Sequence, residues 1–272
     1  MKNLDEISKF CREHFHRLFA IILVLNFLSL YPDLFLFFSY PWLLTTWKYN
    51  QFYALLNTLT SRVGLSDHHW LIFLSLLSLL SSLLLFFNST KKPGAVFSWV
   101  FLNLWLSSNS LFFDASTCIM SVFLFLLGLS ILLDDSILFE KWGKIFLCLL
   151  YFNTGYSKLI CLDWRNGDLL WKLTAAIQSS HNILTTDNLA PFFPAIFLAG
   201  WLVILSQLLS PIILFKPTLA PYLGIFEIFA HLFILIFLKL YIFSALMILL
   251  NLAFFANGSQ NLKLRNSTNK KE

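Results

Sequence analysis

The chain has 272 residues, 58% of them hydrophobic and only 12% charged, with a formal net charge of +5. A soluble domain carries about 25% charged residues, so too little polar surface remains to cover a water-soluble globule. The composition reads as an all-α, polytopic transmembrane helix bundle, and its basic residues fit membrane topology better than a nucleic-acid-binding patch.

An apolar run of about 20 residues crosses the hydrocarbon core as a helix. Runs at Leu18–Phe38, Trp70–Phe87, Ala95–Phe113, Cys118–Leu133, Phe139–Leu159, Phe192–Phe215, Leu219–Leu238 and Tyr241–Ala256 predict seven or eight spans, because the last two nearly touch. Lys2, Lys9, Arg12 and Arg17 precede the first run as in a signal sequence. No small-x-small cleavage site follows, so the run is read as a retained span. With eight spans and a cytoplasmic N-terminus, only Lys48, Arg62, Arg165, Lys172 and Lys239 fall outside, with Lys158 at the outer rim. This positive-inside bias places both termini of an integral cell-membrane protein in the cytoplasm, with membrane lipids as its first partners.

The first span holds Asn26 and is expected to stop at Pro32-Asp33. Ser39–His69 carries Trp42, Trp47, Tyr49, Phe52 and Tyr53, an aromatic density suited to lying along headgroups. Asn88 to Gly94 reads as an inner turn broken by Pro93-Gly94. Asn103, Ser107, Ser108 and Asn109 end the third span as helix–helix glue or pocket lining. Asp134-Asp135 through Lys144 reads as a mixed-charge inner loop. In Asp168–Ser179, Leu169, Leu170, Leu173, Ala176 and Ile177 recur at helical spacing opposite Asp168, Lys172 and Gln178. That pattern predicts an outer amphipathic helix. A transmembrane domain over 1–256 is followed by a polar, basic tail, 257–272, expected to be disordered beside anionic headgroups.

Two features carry chemistry. Tyr151-Phe-Asn-Thr-Gly155-Tyr-Ser-Lys158-Leu, then Asp163-Trp164-Arg-Asn-Gly167, places an ammonium near the end of an apolar run. Such a charge costs about 2.5–3.5 kcal/mol at mid-membrane, less near the interface, and calls for a function. In the seventh span Glu227 and His231 stand four apart on one helix face. They are expensive in lipid unless they face the interior and pair, as a packing bond or as working groups. His14/His16 and His68/His69 lack carboxylate companions, so no metal site is expected. Cys11, Cys118, Cys148 and Cys161 show no metal spacing, and a disulfide between Cys118 and Cys161 at the outer rim stays open.

The block YFxxGxxKL followed by DWxxG, at Tyr151–Gly167, resembles the HTTM (horizontally transferred transmembrane) domain family, which is related to the vitamin K-dependent gamma-carboxylase. Asn109–Asp134 and Gln207–Phe255 look like that family's middle and final segments, and Arg17 suits its start. The resemblance implies Lys158 as a base acting on a reduced quinone, with His231 stabilising developing negative charge and Glu227 beside it. Tyr151, Asp163, Trp164 and Asn109 become the implied substrate-binding residues. The chain ends soon after its last span, without the carboxylase's large C-terminal region, and Ala115-Ser-Thr replaces an acidic run. Full carboxylation of protein glutamates is therefore not expected, and a scaffold with a lipid or quinone pocket is. An alternative is a non-catalytic membrane partner for export, processing or immunity of a small peptide, with Lys158 snorkelling to headgroups. A transporter would show internal repeats and broken helices, and no repeat is evident.

Overall fold

The computed structural model of the chain describes residues 2–39, 67–108, 115–172 and 190–255. Among them there is no strand: α1 (Lys2–Glu13), α2 (Phe15–Ser39), α3 (Asp67–Phe86), α4 (Lys91–Ser108), α5 (Ala115–Leu133), α6 (Ser136–Ile160), α7 (Leu162–Arg165), α8 (Phe193–Leu209), α9 (Ile212–Phe215), α10 (Ala220–Phe233) and α11 (Tyr241–Phe254). A π-helical stretch, Ile234–Leu238, continues α10. Of the segment expected along the headgroups, residues 40–66 lie outside the described residues, as do Asn109 and the tail, while Ser39 ends α2 and Asp67–His69 open α3. Of the amphipathic helix expected at Asp168–Ser179, residues 168–172 are described, and they are helical.

The residues form two compact units, His14–Phe139 and Met1–Glu13 with Glu140–Glu272. In the first, α2 packs on α3, α3 on α4 and α4 on α5. The turn between α3 and α4 is tied by the Thr90 hydroxyl, which donates to the Leu84 carbonyl at 2.7 Å. A Cβ at Gly94 would run into the backbone of Leu84 and Leu85, so the missing side chain lets α4 begin against the end of α3. Small buried groups continue this seam: Ser78, Ser81, Ser82, Ala95 and Ser98. Close approach through small residues is how apolar helices associate where water offers no hydrophobic drive between them. Asp135 accepts from the Ile137 and Leu138 N–H groups at 2.9 and 3.1 Å, capping α6. The expected loop from Asp134 to Lys144 is therefore mostly helix, because the acid that looked like loop chemistry serves as a cap.

In the second unit, α10 packs on α11, α1 on α11, α8 on α10 and α7 on α8. The run expected as one span from Phe192 to Phe215 breaks at Ser210-Pro211. Pro211 has no N–H for the Gln207 carbonyl, and the Ser210 N–H and hydroxyl take that acceptor at 3.3 and 2.8 Å. Helix α2, by contrast, runs through Pro32 to Ser39 instead of stopping there. Apolar surroundings tolerate an internal proline where neighbours answer the freed carbonyl.

Among the described residues two helical stretches are long and apolar enough to cross a membrane, Ala115–Leu133 and Pro217–Ile236. The expected seven or eight spans are not matched by that number among the described residues. Helices α8 and α11 have 17 and 14 residues, which at 1.5 Å each is about 26 and 21 Å, short of the ~30 Å hydrocarbon core. The surface is nonetheless strongly apolar. Only 28% of Pro217–Ile236 is buried, and Tyr222, Phe229, Phe233 and Ile236 stand exposed along it. A run of this kind on a water-soluble monomer would be unusual.

The Gly94 contact yields a paired prediction. Gly94→Val must push two backbones apart and should lower stability in detergent by about 1–3 kcal/mol or more, the usual cost of overpacking. Gly128→Ala would meet only the Ala95 side chain at 3.8 Å, and should leave the melting temperature unchanged or slightly raised.

Candidate functional site

Tyr151, Gly155 and Lys158 fall four and three residues apart, on one stripe of α6. The glycine decides how near the next helix comes: a Cβ there would lie 2.9 Å from both the Gln207 Cβ and the Leu208 nitrogen of α8. This contact brings Gln207 to the lysine. Lys158 Nζ donates to Gln207 Oε1 at 2.9 Å, and Thr154 Oγ1 reaches the same oxygen at 3.2 Å. The ammonium also stands 5.2 Å from the centre of the Trp164 ring, a cation–π distance. From the residue before Gln207, Ser206 Oγ donates to Glu227 Oε1 of α10 at 2.7 Å.

One turn earlier on α6 lies a second, fully enclosed set. The Tyr151 hydroxyl accepts from Asn251 Nδ2 and sits 3.1 Å from His231 Nε2. An amide N–H can only donate, so the phenol oxygen is the acceptor toward Asn251, while the donor in the Tyr151–His231 bond follows the imidazole tautomer. Asn251 Nδ2 also donates to the Met247 carbonyl at 2.8 Å. The Phe243 and Phe255 rings lie against the His231 and Tyr151 rings, with centroids 5.5 and 6.1 Å away. Tyr151, Glu227, His231 and Asn251 are each 3% exposed or less.

Of the residues expected to work together, the structure gathers Lys158, Tyr151, Trp164, Glu227 and His231. Glu227 and His231 share the inward side of α10 but do not pair: the acid turns to Ser206 and the imidazole to Tyr151. Asp163, on α7, is exposed. Asn109 lies outside the described residues. Among the described residues the four cysteines form no disulfide, so Cys118 and Cys161 are not joined. No group of three or more His, Cys, Asp and Glu side chains gathers as a metal site among them either.

Three partners were missed in the sequence reading: Thr154, Ser206 and Asn251, with Gln207 noted only as the start of a segment. Their signal was a polar side chain on an otherwise apolar run, the same signal that singled out Glu227 and His231. Both glycines of the motif have a packing role. Gly167 has φ +78°, a left-handed backbone, and its Cβ would press on Phe197. From there the chain runs beside the first half of α8, where Trp201 Nε1 donates to the Arg165 carbonyl at 3.1 Å. Helices α6 and α8 are antiparallel, since Gly155 meets Gln207 while the Cys148 carbonyl accepts from Ser210 Oγ. Lys158 therefore faces α8 about 20 Å from that helix's first residue and within one turn of its last, Leu209. A surface depression lined by Asn166, Phe193, Pro194 and Phe197 opens by the Gly167 turn and includes none of the clustered residues.

Compared with protein-family models, curated proteins and solved structures, the chain matches none. The HTTM resemblance thus rests on the sequence features named above alone.

Removing the phenol oxygen tests the enclosed set. Tyr151→Phe leaves Nε2 of His231 without its hydrogen-bond partner and should cost about 1–3 kcal/mol, the range for a buried polar group left unsatisfied. Tyr156→Phe, at a side chain 52% exposed, should stay within about 0.5 kcal/mol. Thermal unfolding of the two variants in the same detergent makes the comparison.

Proposed function

We propose that the chain is a multi-pass integral membrane protein of HTTM type, with both termini cytoplasmic, that uses Lys158 as a base toward a quinone-like or lipid substrate. The observation that carries this reading is the lysine's partner. Among the described residues Lys158 makes no ion pair, and its ammonium is met by the neutral amide of Gln207. A cation kept only for charge is best held by a carboxylate. An amine that must give up and regain a proton works better against a neutral acceptor. Lys158 is only half-buried, so a substrate can approach its Nζ from the open side, next to the Trp164 ring. His231 supports the role of stabilising negative charge, because its Nδ1 makes no hydrogen bond within the protein. The two long apolar helices, the exposed apolar flanks and the inward bias of basic residues support the membrane placement.

A second reading keeps the membrane scaffold without catalysis, as a partner in export, processing or immunity of a small peptide. It is favoured by the same grip seen differently: Gln207 and the Trp164 ring also suit a cation fixed in place for packing.

Two measurements bear on these readings. The protein should remain in the membrane pellet after an alkaline carbonate wash, and release into the supernatant contradicts integral insertion. Purified protein should carry an isoprenoid quinone detectable by mass spectrometry, and Lys158→Arg should abolish complementation of a deletion strain, because a guanidinium does not surrender its proton. A ligand-free protein together with full complementation by Lys158→Arg overturns the catalytic reading and leaves the second.

A further inference from the structure

We infer that Gln207 is the positioning residue for Lys158, fixing where the amine stands and in which direction it points; the inference rests on the reading of Lys158 as the working amine. Three constraints hold this glutamine. Its backbone is pressed against Gly155, where a Cβ would lie 2.9 Å from the Gln207 Cβ. Its carbonyl, deprived of a partner by Pro211, is taken by the Ser210 N–H and hydroxyl. The same hydroxyl lies 2.9 Å from the Cys148 carbonyl of α6, so the end of α8 is tied to the helix that bears the lysine.

The side chain is held as firmly as the backbone. Oε1 receives both the Lys158 ammonium at 2.9 Å and the Thr154 hydroxyl at 3.2 Å. Turning the amide over would set its NH₂ against an ammonium, which has no acceptor to offer. Gln207 is 6% exposed, so water does not compete for these bonds.

The amide is also the right chemistry at this place. It accepts from the amine in either protonation state without adding a charge that would hold it as ammonium. Among the described residues Glu227 of α10 is the group whose charge acts on Lys158, and the ammonium in turn acts on His231 of the same helix. Tyr151 lies on its own helix, α7 carries the exposed Asp163 and Arg165, and α8 carries no titratable side chain.

The test follows the acylation of Lys158 by an amine-reactive ester as a function of pH, in the full chain in lipid nanodiscs, read by peptide mass spectrometry. Gln207→Glu should move the midpoint of the Lys158 profile up by about one pH unit or more, because an adjacent carboxylate favours the ammonium. Gln207→Met, which removes the acceptor, should move it in the opposite direction. Thr154→Val should move it in the same direction as Gln207→Met by a smaller amount, and it keeps the test available if a Gln207 variant does not fold. The profile of Lys172 serves as the internal reference and should not move. Profiles for Lys158 that superimpose in all variants overturn the assignment. That outcome is separate from the fate of the catalytic reading, on which complementation by Lys158→Arg decides.

Discussion

A polar side chain on an apolar helix has no solvent to fall back on, so its partners must come from other helices, and they can do so only where backbones approach closely. In the unit that carries the site, Gly155 provides the approach. With no Cβ on α6 at that point, the Gln207 backbone of α8 lies in contact with it, and the hydrogen bonds of Lys158 and Thr154 follow. Around the same stripe, α10 contributes Glu227 and His231, and α11 contributes Asn251. Without the Gly155 contact, Lys158 and Thr154 would lose the Gln207 oxygen as their acceptor, and a buried polar group left without a partner costs more than the hydrogen bond itself returns.

The cluster divides by exposure, and the division separates two tasks. Tyr151, His231 and Asn251 are enclosed, packed between aromatic rings and joined through one phenol oxygen. The hydrogen bonds of this set tie three helices together, with His231 Nδ1 and Asn251 Oδ1 left without a partner in the protein. Lys158 is half-open, paired with a neutral amide and flanked by an indole ring. The rigid set holds α6 and α10 in place, while the open set presents one amine. A site needs a fixed frame more than it needs many reactive groups.

Much of the helical layout could be read from hydropathy, because burial and lipid exposure both select the same apolar runs. Helix α5 starts three residues before its expected position, and α11 starts where it was placed. Errors arose where a residue has two structural uses. Pro32 was read as a stop and lies inside α2, whereas Pro211, unremarked, breaks the helix before α9. Asp135 was read as loop and is a cap. Length misled too: apolar composition marks a run but not whether its helix is long enough to cross. For the site, charge was the legible signal, so Lys158, Glu227 and His231 were found. Their neutral partners, Gln207, Ser206, Thr154 and Asn251, are polar without charge, and only the folded geometry shows which of the many such residues face one another.

The central claim is that these side chains act as one coupled network across helices α6, α8, α10 and α11. A double-mutant cycle on Tyr151 and His231 measures this most directly, with Tyr151→Phe, His231→Leu and the double variant compared by thermal unfolding in one detergent. A shared hydrogen bond predicts a coupling of about 0.5–3 kcal/mol, the double variant being less destabilised than the sum of the two single ones. Additivity within about 0.3–0.5 kcal/mol would contradict the network.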